Sequence, residues 1–323
     1  MTEQPAVASR LGLGLAAVAR PAYINSGRNA DLGTRRTEAD LRTRAMAVLD
    51  AAYAVGVRYV DVARSYGRAE EFLAGWLAER PAADDVVVGS KWGYRYVGDW
   101  RLDAEVHEVK DHSLAAFTAQ YAESRALLGD RLALYHVHSA TLETGVLADR
   151  ALHRALARAR DGGLRVGVST SGPRQSDAIR RALDVTVDGR PVFTSIQSTW
   201  NLLEPSAGPA LAEAAEAGAT VIVKEAVANG RLAPGGGGST VGERSAAKAA
   251  EDLGVGVDQL AIAVALAQPW AWRVLSGAVS PEQLRANAGA ESIAVPEQLS
   301  ARLASLAEPP SEYWAARSHR AWT

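Results

Sequence analysis

An alanine-rich amphipathic stretch that ends in glycine and leads into a short β-branched run occurs three times in this chain. The three copies span residues 49–61, 156–168 and 211–223. Glycine commonly terminates helices, and a short apolar run of this kind is typical of a buried strand. Each copy therefore predicts a helix, a tight turn and a strand.

The remaining apolar runs extend this alternation to eight strands. We predict strands at residues 11–15, 57–61, 85–90, 132–138, 164–168, 195–198, 219–223 and 272–278. Helices are predicted at residues 37–55, 68–80, 112–128, 149–161, 174–183, 209–217 and 281–288. The last of these has Ser280 as its N-cap and Gln283 completing a capping box.

Strict alternation over eight units favours an α/β fold, a closed (β/α)8 TIM barrel with a parallel sheet. A doubly wound sheet is the competing fold. It would normally carry a Gly-x-Gly-x-x-Gly turn after its first strand, and the Gly12-Leu13-Gly14 segment lacks the third glycine.

We expect residues 1–323 to form one barrel domain with long loops at residues 20–36, 92–110 and 230–240. A C-terminal helix and tail at residues 289–323 is expected to cover the carboxyl ends of the strands. These loops and the tail are rich in aromatic residues that a barrel does not need for closure, so they predict the walls of a pocket. The run Gly235–Gly238 is expected to become ordered only when a ligand binds.

Composition excludes several classes of protein. The net charge is −2, so there is no basic surplus to bind nucleic acid or an anionic membrane. Cysteine is absent, which removes disulfides and thiolate chemistry. No apolar run reaches the roughly 18 residues of a membrane helix, and we interpret the first apolar run as a strand and not as a signal peptide. We expect a cytoplasmic protein, a monomer or small homo-oligomer, that acts on a small molecule.

Polar residues at the predicted strand ends indicate where chemistry occurs, because the active site of such a barrel lies at the carboxyl ends of its strands. Asp61 ends the second strand and Tyr66 follows it, Lys91 follows the third strand, and His138 ends the fourth. An ammonium within hydrogen-bond reach of a phenol would lower the phenol pKa, and a carboxylate would hold that ammonium in place. A neutral imidazole could orient a carbonyl oxygen beside the phenol. Together these four groups predict an acid–base device.

Lysine is rare in this chain, which makes two lysines at strand ends informative. Of 35 basic residues only four are lysines, and Lys91 and Lys224 both lie at predicted strand ends. A metal site is not expected, because the His136–His138 pair has no second histidine cluster to complete it. We expect His136 to face the helical layer.

The segment Val57–Gly67, with Asp61 five residues before Tyr66 and Gly67 directly after it, resembles the signature of the aldo-keto reductase family. Ser90-Lys91 resembles the lysine segment of that family, and residues 134–138 resemble its histidine strand. The resemblance continues through residues 167–170, 196–197 and 277–287, nearly the whole chain. It implies reduction of an aldehyde or ketone with NADP(H), or NAD(H) as the alternative, or the reverse oxidation of an alcohol or aldose, without a metal. The implied catalytic residues are Asp61, Tyr66, Lys91 and His138.

The resemblance also implies which residues hold the cofactor. They are Ser169, Thr170, Gln197, Lys224, Glu225, Gly277, Val279, Gln283 and Asn287. Thr170, Lys224 and Gln283 depart from the residues usual in the family. Lys224 replaces an aromatic residue that stacks on nicotinamide, so we expect it either to pair with Glu225 or to leave the stacking to Trp200. The substrate pocket, for a carbonyl compound or a sugar, is expected to be lined by Tyr23, Trp92, Tyr94 and Trp200.

Two other functions remain open from the sequence. A Schiff-base lyase or aldolase could use Lys91 or Lys224 as its amine. A regulatory subunit could keep the cofactor site and have only weak activity.

Overall fold

A computed structural model of the chain describes residues 9–24 and 28–323. Residues 1–8 of the predicted domain and residues 25–27 of the predicted loop 20–36 lie outside the described residues. Within the described ranges, eight parallel strands close into a barrel. They are β1 (Leu11–Gly14), β2 (Tyr59–Asp61), β3 (Val87–Trp92), β4 (Leu132–Ala140), β5 (Arg165–Thr170), β6 (Ser195–Thr199), β7 (Thr220–Lys224) and β8 (Arg273–Ser276). Each strand pairs with the next along the chain and β8 pairs with β1, which confirms the predicted (β/α)8 barrel.

Helices connect the strands and surround the barrel. They span Arg28–Leu32, Glu38–Ala54, Ala69–Glu79, Leu114–Leu128, Arg150–Asp161, Gln175–Leu183, Gly208–Glu216, Val241–Asp252, Val257–Leu266, Pro281–Ala288, Glu297–Ala304 and Pro310–Ser318. Two antiparallel ribbons lie outside the barrel, Tyr94–Tyr96 with Glu108–Lys110 and Thr186–Val187 with Arg190–Pro191. None of the helices that the structure describes is long and apolar enough to cross a membrane.

The floor of the barrel interior is built around one buried tyrosine. Tyr59 packs with Leu134 and Ile222 inside the barrel. Gly12 and Gly89 make room for its ring, since a Cβ on either glycine would lie 2.9 Å from a Tyr59 ring carbon. This layer fills the amino-terminal half of the barrel and leaves the polar side chains of the next layer at the carboxyl ends of the strands.

The prediction that His136 faces the helical layer is wrong. Nε2 of His136 lies 2.9 Å from the Ser195 hydroxyl, and a Cβ on Gly167 would lie 2.6 Å from the His136 ring. Residues two apart on a strand point to the same side of the sheet, so His136 enters the barrel together with His138.

The capping of the helix Pro281–Ala288 differs in one contact from the predicted capping box. The Ser280 hydroxyl accepts a hydrogen bond from the Gln283 amide, as expected of an N-cap. The Gln283 side chain, however, accepts from the backbone of Val279 and not from that of Ser280. The Gln283 carboxamide oxygen thus fixes the turn between β8 and this helix.

Candidate active site

A buried ion pair lies at the carboxyl ends of β2 and β3. The Lys91 ammonium donates hydrogen bonds to Oδ1 of Asp61 and to the backbone oxygen of Val62, the latter over 2.9 Å. Oδ2 of Asp61 accepts from the Gln197 amide at 2.8 Å and from the Tyr59 hydroxyl at 3.3 Å. Both charged side chains are almost completely buried. Both oxygens of this carboxylate accept hydrogen bonds, as a buried charge requires.

Tyr66 is held above this pair by a tight turn. Gly67 follows it with a φ of +59°, and a Cβ there would lie 2.5 Å from the Ala19 oxygen. Only glycine accommodates both the left-handed conformation and this close approach. The Tyr66 hydroxyl lies 3.4 Å from Nε2 of His138, and the Lys91 ammonium lies 4.7 Å from the centre of the Tyr66 ring.

The structure corrects two expectations about this phenol. The hydrogen bonds of the Lys91 ammonium go to Asp61 and Val62, and among the described residues none joins it to the Tyr66 hydroxyl. Burial, with the Asp61 carboxylate adding to it, raises the pKa of Tyr66 well above 10. The Asp61 carboxylate neutralises the ammonium charge that was expected to lower the pKa of Tyr66. Tyr66 is therefore a protonated donor in this structure.

His138 is a neutral imidazole. Burial and the nearby Lys91 ammonium lower the pKa of His138 well below 6.5. Its Nδ1 lies 3.4 Å from the Ser65 hydroxyl, while its backbone oxygen lies 2.8 Å from Nε2 of His112. Its ring packs edge-on against Tyr94 at 5.0 Å. Nε2 of His138 and the Tyr66 hydroxyl thus face a common point at which a substrate oxygen could be held.

A cavity of about 300 Å³ opens above these two groups. It is lined by the predicted residues Asp61, Tyr66, His138, Gln197, Lys224, Glu225, Gly277, Tyr23 and Tyr94, and by the unpredicted Arg20, Glu108, Arg317 and Trp322. The structure therefore brings residues from four barrel strands, the loops that follow strands, one external ribbon and the C-terminal segment to one place.

Arg20 was missed by the sequence reasoning, although it follows the first strand closely. It is 1% exposed, donates to the Ser65 oxygen at 3.1 Å and pairs with Glu108. Its guanidinium lies 4.5 Å from the ring centre of Tyr23 and 4.9 Å from those of Tyr66 and Trp322. Such cation–π stacking fixes the aromatic wall of the cavity around one buried charge.

The C-terminal tail closes this wall, as predicted for residues 289–323. The backbone of Thr323 donates to Tyr23 at 2.9 Å and accepts from it at 3.0 Å. The Trp322 ring stacks on His107 with centroids 4.6 Å apart and meets Tyr23 edge-on. These contacts hold the end of the chain against the loop after β1. Because Tyr23 and Thr323 lie near opposite ends of the chain, the periodicity of the sequence does not predict that they pair.

Among the residues that the structure describes, two buried polar atoms on β5 and β6 have no hydrogen-bond partner. They are the Ser169 hydroxyl and Oε1 of Gln197. The two residues are paired in the register of the strands, and both are fully buried. Buried polar atoms without partners are rare, so this pair is typical of a site for a polar ligand. A primary carboxamide, which offers both a donor and an acceptor, would satisfy both atoms, and the residues present therefore fit the nicotinamide end of NAD(P)H.

Lys224 lines the cavity at the end of β7. Its ammonium donates to the Thr199 hydroxyl at 2.9 Å and lies 3.7 Å from Oε1 of Glu225. Burial lowers the pKa of Lys224 to about 8. Burial alone would raise the pKa of Glu225, but the Arg317 guanidinium, which binds both carboxylate oxygens, and the Lys224 ammonium lower it to about 2. The Lys224–Glu225 pairing is thus present but secondary to Arg317.

Thr170, Trp92 and Trp200 are among the predicted residues that do not line the cavity. The Thr170 hydroxyl lies 2.8 Å from that of Ser198, and the side chain points away from the interior because it is one residue out of phase with Ser169. Trp92 is one residue out of phase with Lys91 and packs against Phe117. Trp200 packs edge-on against Trp270 and does not line the cavity. The predictions for these three side chains are wrong.

The remaining predicted cofactor residues lie before and along the helix Pro281–Ala288, and the two polar side chains among them are already engaged. Asn287 accepts from the Ser276 hydroxyl at 2.8 Å and donates to Asp258 at 2.9 Å. Gln283 holds Val279, and Val279 itself is buried. Gly277 lines the cavity, and a Cβ there would meet open space.

Gly238, at the end of the glycine run after β7, is bound by a side chain of the helix that follows. The expectation that this run becomes ordered when a ligand binds stays a prediction. Oε2 of Glu243 accepts hydrogen bonds from the backbones of Gly238, Ser239 and Thr240. A Cβ on Gly237 would overlap the Arg231 oxygen. Among the described residues, no group of three or more histidine, aspartate or glutamate side chains is placed to hold a metal ion.

Comparisons with known proteins agree with this geometry. The model of the Aldo/keto reductase family matches residues 30–308. Among solved structures, an aldo-keto reductase of Bacillus halodurans in its holo form superposes with a TM-score of 0.70 at 22% identity, covering 94% of this chain and 93% of that one. A glycerol dehydrogenase of Gluconobacter oxydans superposes with a TM-score of 0.68 at 21% identity, covering 95% and 93%. A comparison with curated protein sequences gives no match.

Proposed function

The chain belongs to the aldo/keto reductase family, and from that premise we propose that it reduces an aldehyde or ketone with NADPH as hydride donor, or oxidises the corresponding alcohol or aldose. The observation that carries the proposal is the convergence of the Tyr66 hydroxyl and Nε2 of His138, 3.4 Å apart, at the base of the cavity. The Lys91–Asp61 ion pair lies directly beneath them.

Each of these side chains has a separate task in the proposed reaction. The bound cofactor would supply a hydride to the carbonyl carbon. The neutral His138 and the Tyr66 hydroxyl would hold the carbonyl oxygen, and Tyr66 would give it a proton as negative charge develops. The Lys91 ammonium beside the Tyr66 ring would stabilise the resulting phenolate, and Asp61 would keep that ammonium in place.

The cofactor would be oriented by the two buried atoms that lack partners. Ser169 and Gln197 would hold the carboxamide, which fixes the position of the ring relative to Tyr66. The amides at the start of the helix Pro281–Ala288 would receive phosphate, because helix N-termini favour anions. NADPH is the expected cofactor and NADH the alternative.

The substrate would be a small carbonyl compound or a sugar bound between Tyr23 and Tyr94. The charged groups around these rings, Arg20 with Glu108 and Arg317 with Glu225, are paired, so the cavity presents a polar and nearly balanced surface. Such a surface suits a hydroxylated carbonyl compound.

The experiment is a panel of aldehydes, ketones and aldoses assayed with NADPH and with NADH, following the absorbance of the reduced nicotinamide. Consumption of reduced cofactor that depends on the carbonyl compound supports the proposal, and the ratio of kcat/KM values decides between the two cofactors. Cofactor binding without turnover across the panel would instead favour the regulatory subunit.

Lys224 favours one second candidate, a Schiff-base enzyme. It lines the cavity, and its pKa of about 8 supplies some neutral amine near neutral pH. Lys91 is unsuited to this role because it is locked in an ion pair with Asp61. Reduction with borohydride in the presence of the carbonyl panel, followed by mass spectrometry of the peptide containing Lys224, would trap such an adduct.

A further inference from the structure

Lys224 lies in the wall of the cavity, where it would be close to the nicotinamide ring of a bound cofactor. It pairs in register with Thr199, which lies two residues after Gln197 on β6 and on the same side of the sheet. Lys224 therefore lies one layer above Gln197, toward the mouth of the cavity. A ring whose carboxamide is held by Ser169 and Gln197, and whose hydride reaches a carbonyl at Tyr66, must lie along the wall that Lys224 lines.

The charge of Lys224 is incompletely balanced by its surroundings. Glu225 is the nearest carboxylate, at 3.7 Å, but Arg317 binds both of its oxygens. These three side chains together carry one excess positive charge. The other cations near the cavity have their own partners, Lys91 with Asp61 and Arg20 with Glu108. The positive charge that is not balanced is therefore that of the Lys224 ammonium.

We propose that Lys224 makes this site bind reduced nicotinamide more tightly than oxidised nicotinamide, by placing an ammonium charge beside the ring. The inference rests on the proposed function, since it takes NAD(P)H as the cofactor. The oxidised ring carries a positive charge and the reduced ring is neutral, so an adjacent cation repels only the oxidised form. The two forms share the same phosphates and adenosine, and the ratio of their dissociation constants isolates this effect.

The preference should weaken at alkaline pH, because Lys224 loses its charge there. The groups that face it are Glu225, Arg317, Lys91, His138 and the uncharged Thr199. Glu225 has a pKa of about 2, and the pKa of His138 lies well below 6.5. Arg317 remains protonated, since its pKa is raised by Glu225 despite the burial that lowers it. Lys224, with its pKa of about 8, is therefore the group whose loss of charge changes the charge beside the ring between about pH 7 and about pH 9.5.

The test is the ratio of the dissociation constant of NADP⁺ to that of NADPH, measured by fluorescence titration between about pH 7 and about pH 9.5. The wild type should show a ratio above one at the lower pH that falls as pH rises. Lys224→Met should lower the ratio by about tenfold at the lower pH and remove its pH dependence. Lys224→Arg should keep the ratio high across the range, because guanidinium stays charged.

Lys248→Met is the matched control, because Lys248 lies on the surface and pairs with Glu251 and Asp252 of its own helix. Lys248→Met should show the same ratio of dissociation constants, with the same pH dependence, as the wild type. A Lys224→Met ratio equal to that of the wild type, or a wild-type ratio that does not change with pH, would overturn the inference. If Lys224→Met fails to fold, the contrast between the wild type and Lys224→Arg decides. Failure of both nicotinamide forms to bind would instead overturn the proposed function.

Discussion

Nε2 of Gln197 donates a 2.8 Å hydrogen bond to Oδ2 of Asp61, while Oε1 of the same amide is buried and has no partner in the described part of the chain. One side chain thus connects the carboxylate that holds Lys91 to the place where a carboxamide would bind. Through Asp61, hydrogen bonds join Gln197 to the Lys91 ammonium, which lies 4.7 Å from the centre of the Tyr66 ring. A substitution of Asp61 should therefore change how the Gln197 amide is oriented for binding a carboxamide.

Removal of the Tyr66 hydroxyl tests the proton donor. Tyr66→Phe should lower kcat by about 10²- to 10⁴-fold, the usual contribution of general acid catalysis. Cofactor affinity should stay within about twofold, because the hydroxyl contacts His138 and not Ser169 or Gln197. Steady-state kinetics and fluorescence titration measure the two quantities. Tyr94→Phe, which removes another phenol of the cavity, should reduce kcat far less; equal losses in the two variants would remove Tyr66 from the mechanism.

The Lys91–Asp61 pair should behave as a buried ion pair in stability measurements. Lys91→Met leaves the Asp61 carboxylate without its cation and should lower the free energy of unfolding by about 3–5 kcal/mol. In the double variant with Asp61→Asn, neither charge remains, so part of the loss should be recovered. Urea unfolding of the single and double variants gives the coupling. Strictly additive losses would show that the two groups are not energetically paired.

The direction of the Tyr66 pKa shift predicts a pH profile. A phenol whose pKa is raised above 10 by burial and by Asp61 stays protonated below that value. With both substrates saturating, kcat for carbonyl reduction should be flat between about pH 7 and about pH 9.5. Alcohol oxidation needs the phenolate as base, so its kcat should rise with pH over the same range. A reduction rate that falls with a midpoint below about pH 9 would contradict the assignment of Tyr66 as a protonated donor.

Gly89 should be intolerant of a side chain because of Tyr59. A methyl group there would lie 2.9 Å from Cζ of Tyr59 and would overlap its oxygen. Gly89→Ala should lower the free energy of unfolding by about 1–3 kcal/mol, as overpacking of a core does. Tyr59→Phe in the same chain should recover part of this loss. Gly277→Ala, whose methyl group meets open space, should be near neutral; a comparable loss there would argue against the packing explanation.

The fold was predictable because its signals are local. The pattern of a helix that ends in glycine before a β-branched run can be recognised within about 15 residues of sequence. All eight predicted strands are present in the barrel. The helices Val241–Asp252 and Val257–Leu266 were missed, although Thr240 and Glu243 form a capping box that could have revealed the first of them. The preceding glycine run was interpreted as flexible, since the sequence does not show that Glu243 binds its backbone.

The residues of the site were predictable only where a polar side chain lies at the end of a strand or shortly after it. Asp61, Tyr66, Lys91 and His138 follow that rule. Arg20, Glu108, Arg317 and Trp322 come from a loop, an external ribbon and the tail, and nothing periodic in the sequence connects them. The errors at His136 and Trp92 were avoidable, because residues two apart share a face of a strand and adjacent residues do not.

The most direct test of the central claim is the fate of deuterium from NADPH that carries deuterium at both C4 positions. If Tyr66 and His138 hold a carbonyl oxygen while hydride reaches the carbonyl carbon, the alcohol formed should carry deuterium on its carbinol carbon, detected by mass spectrometry. Tyr66→Phe should form this product at a strongly reduced rate. An alcohol formed without deuterium at that carbon, or no alcohol from any carbonyl compound while NADPH is bound, would contradict the account.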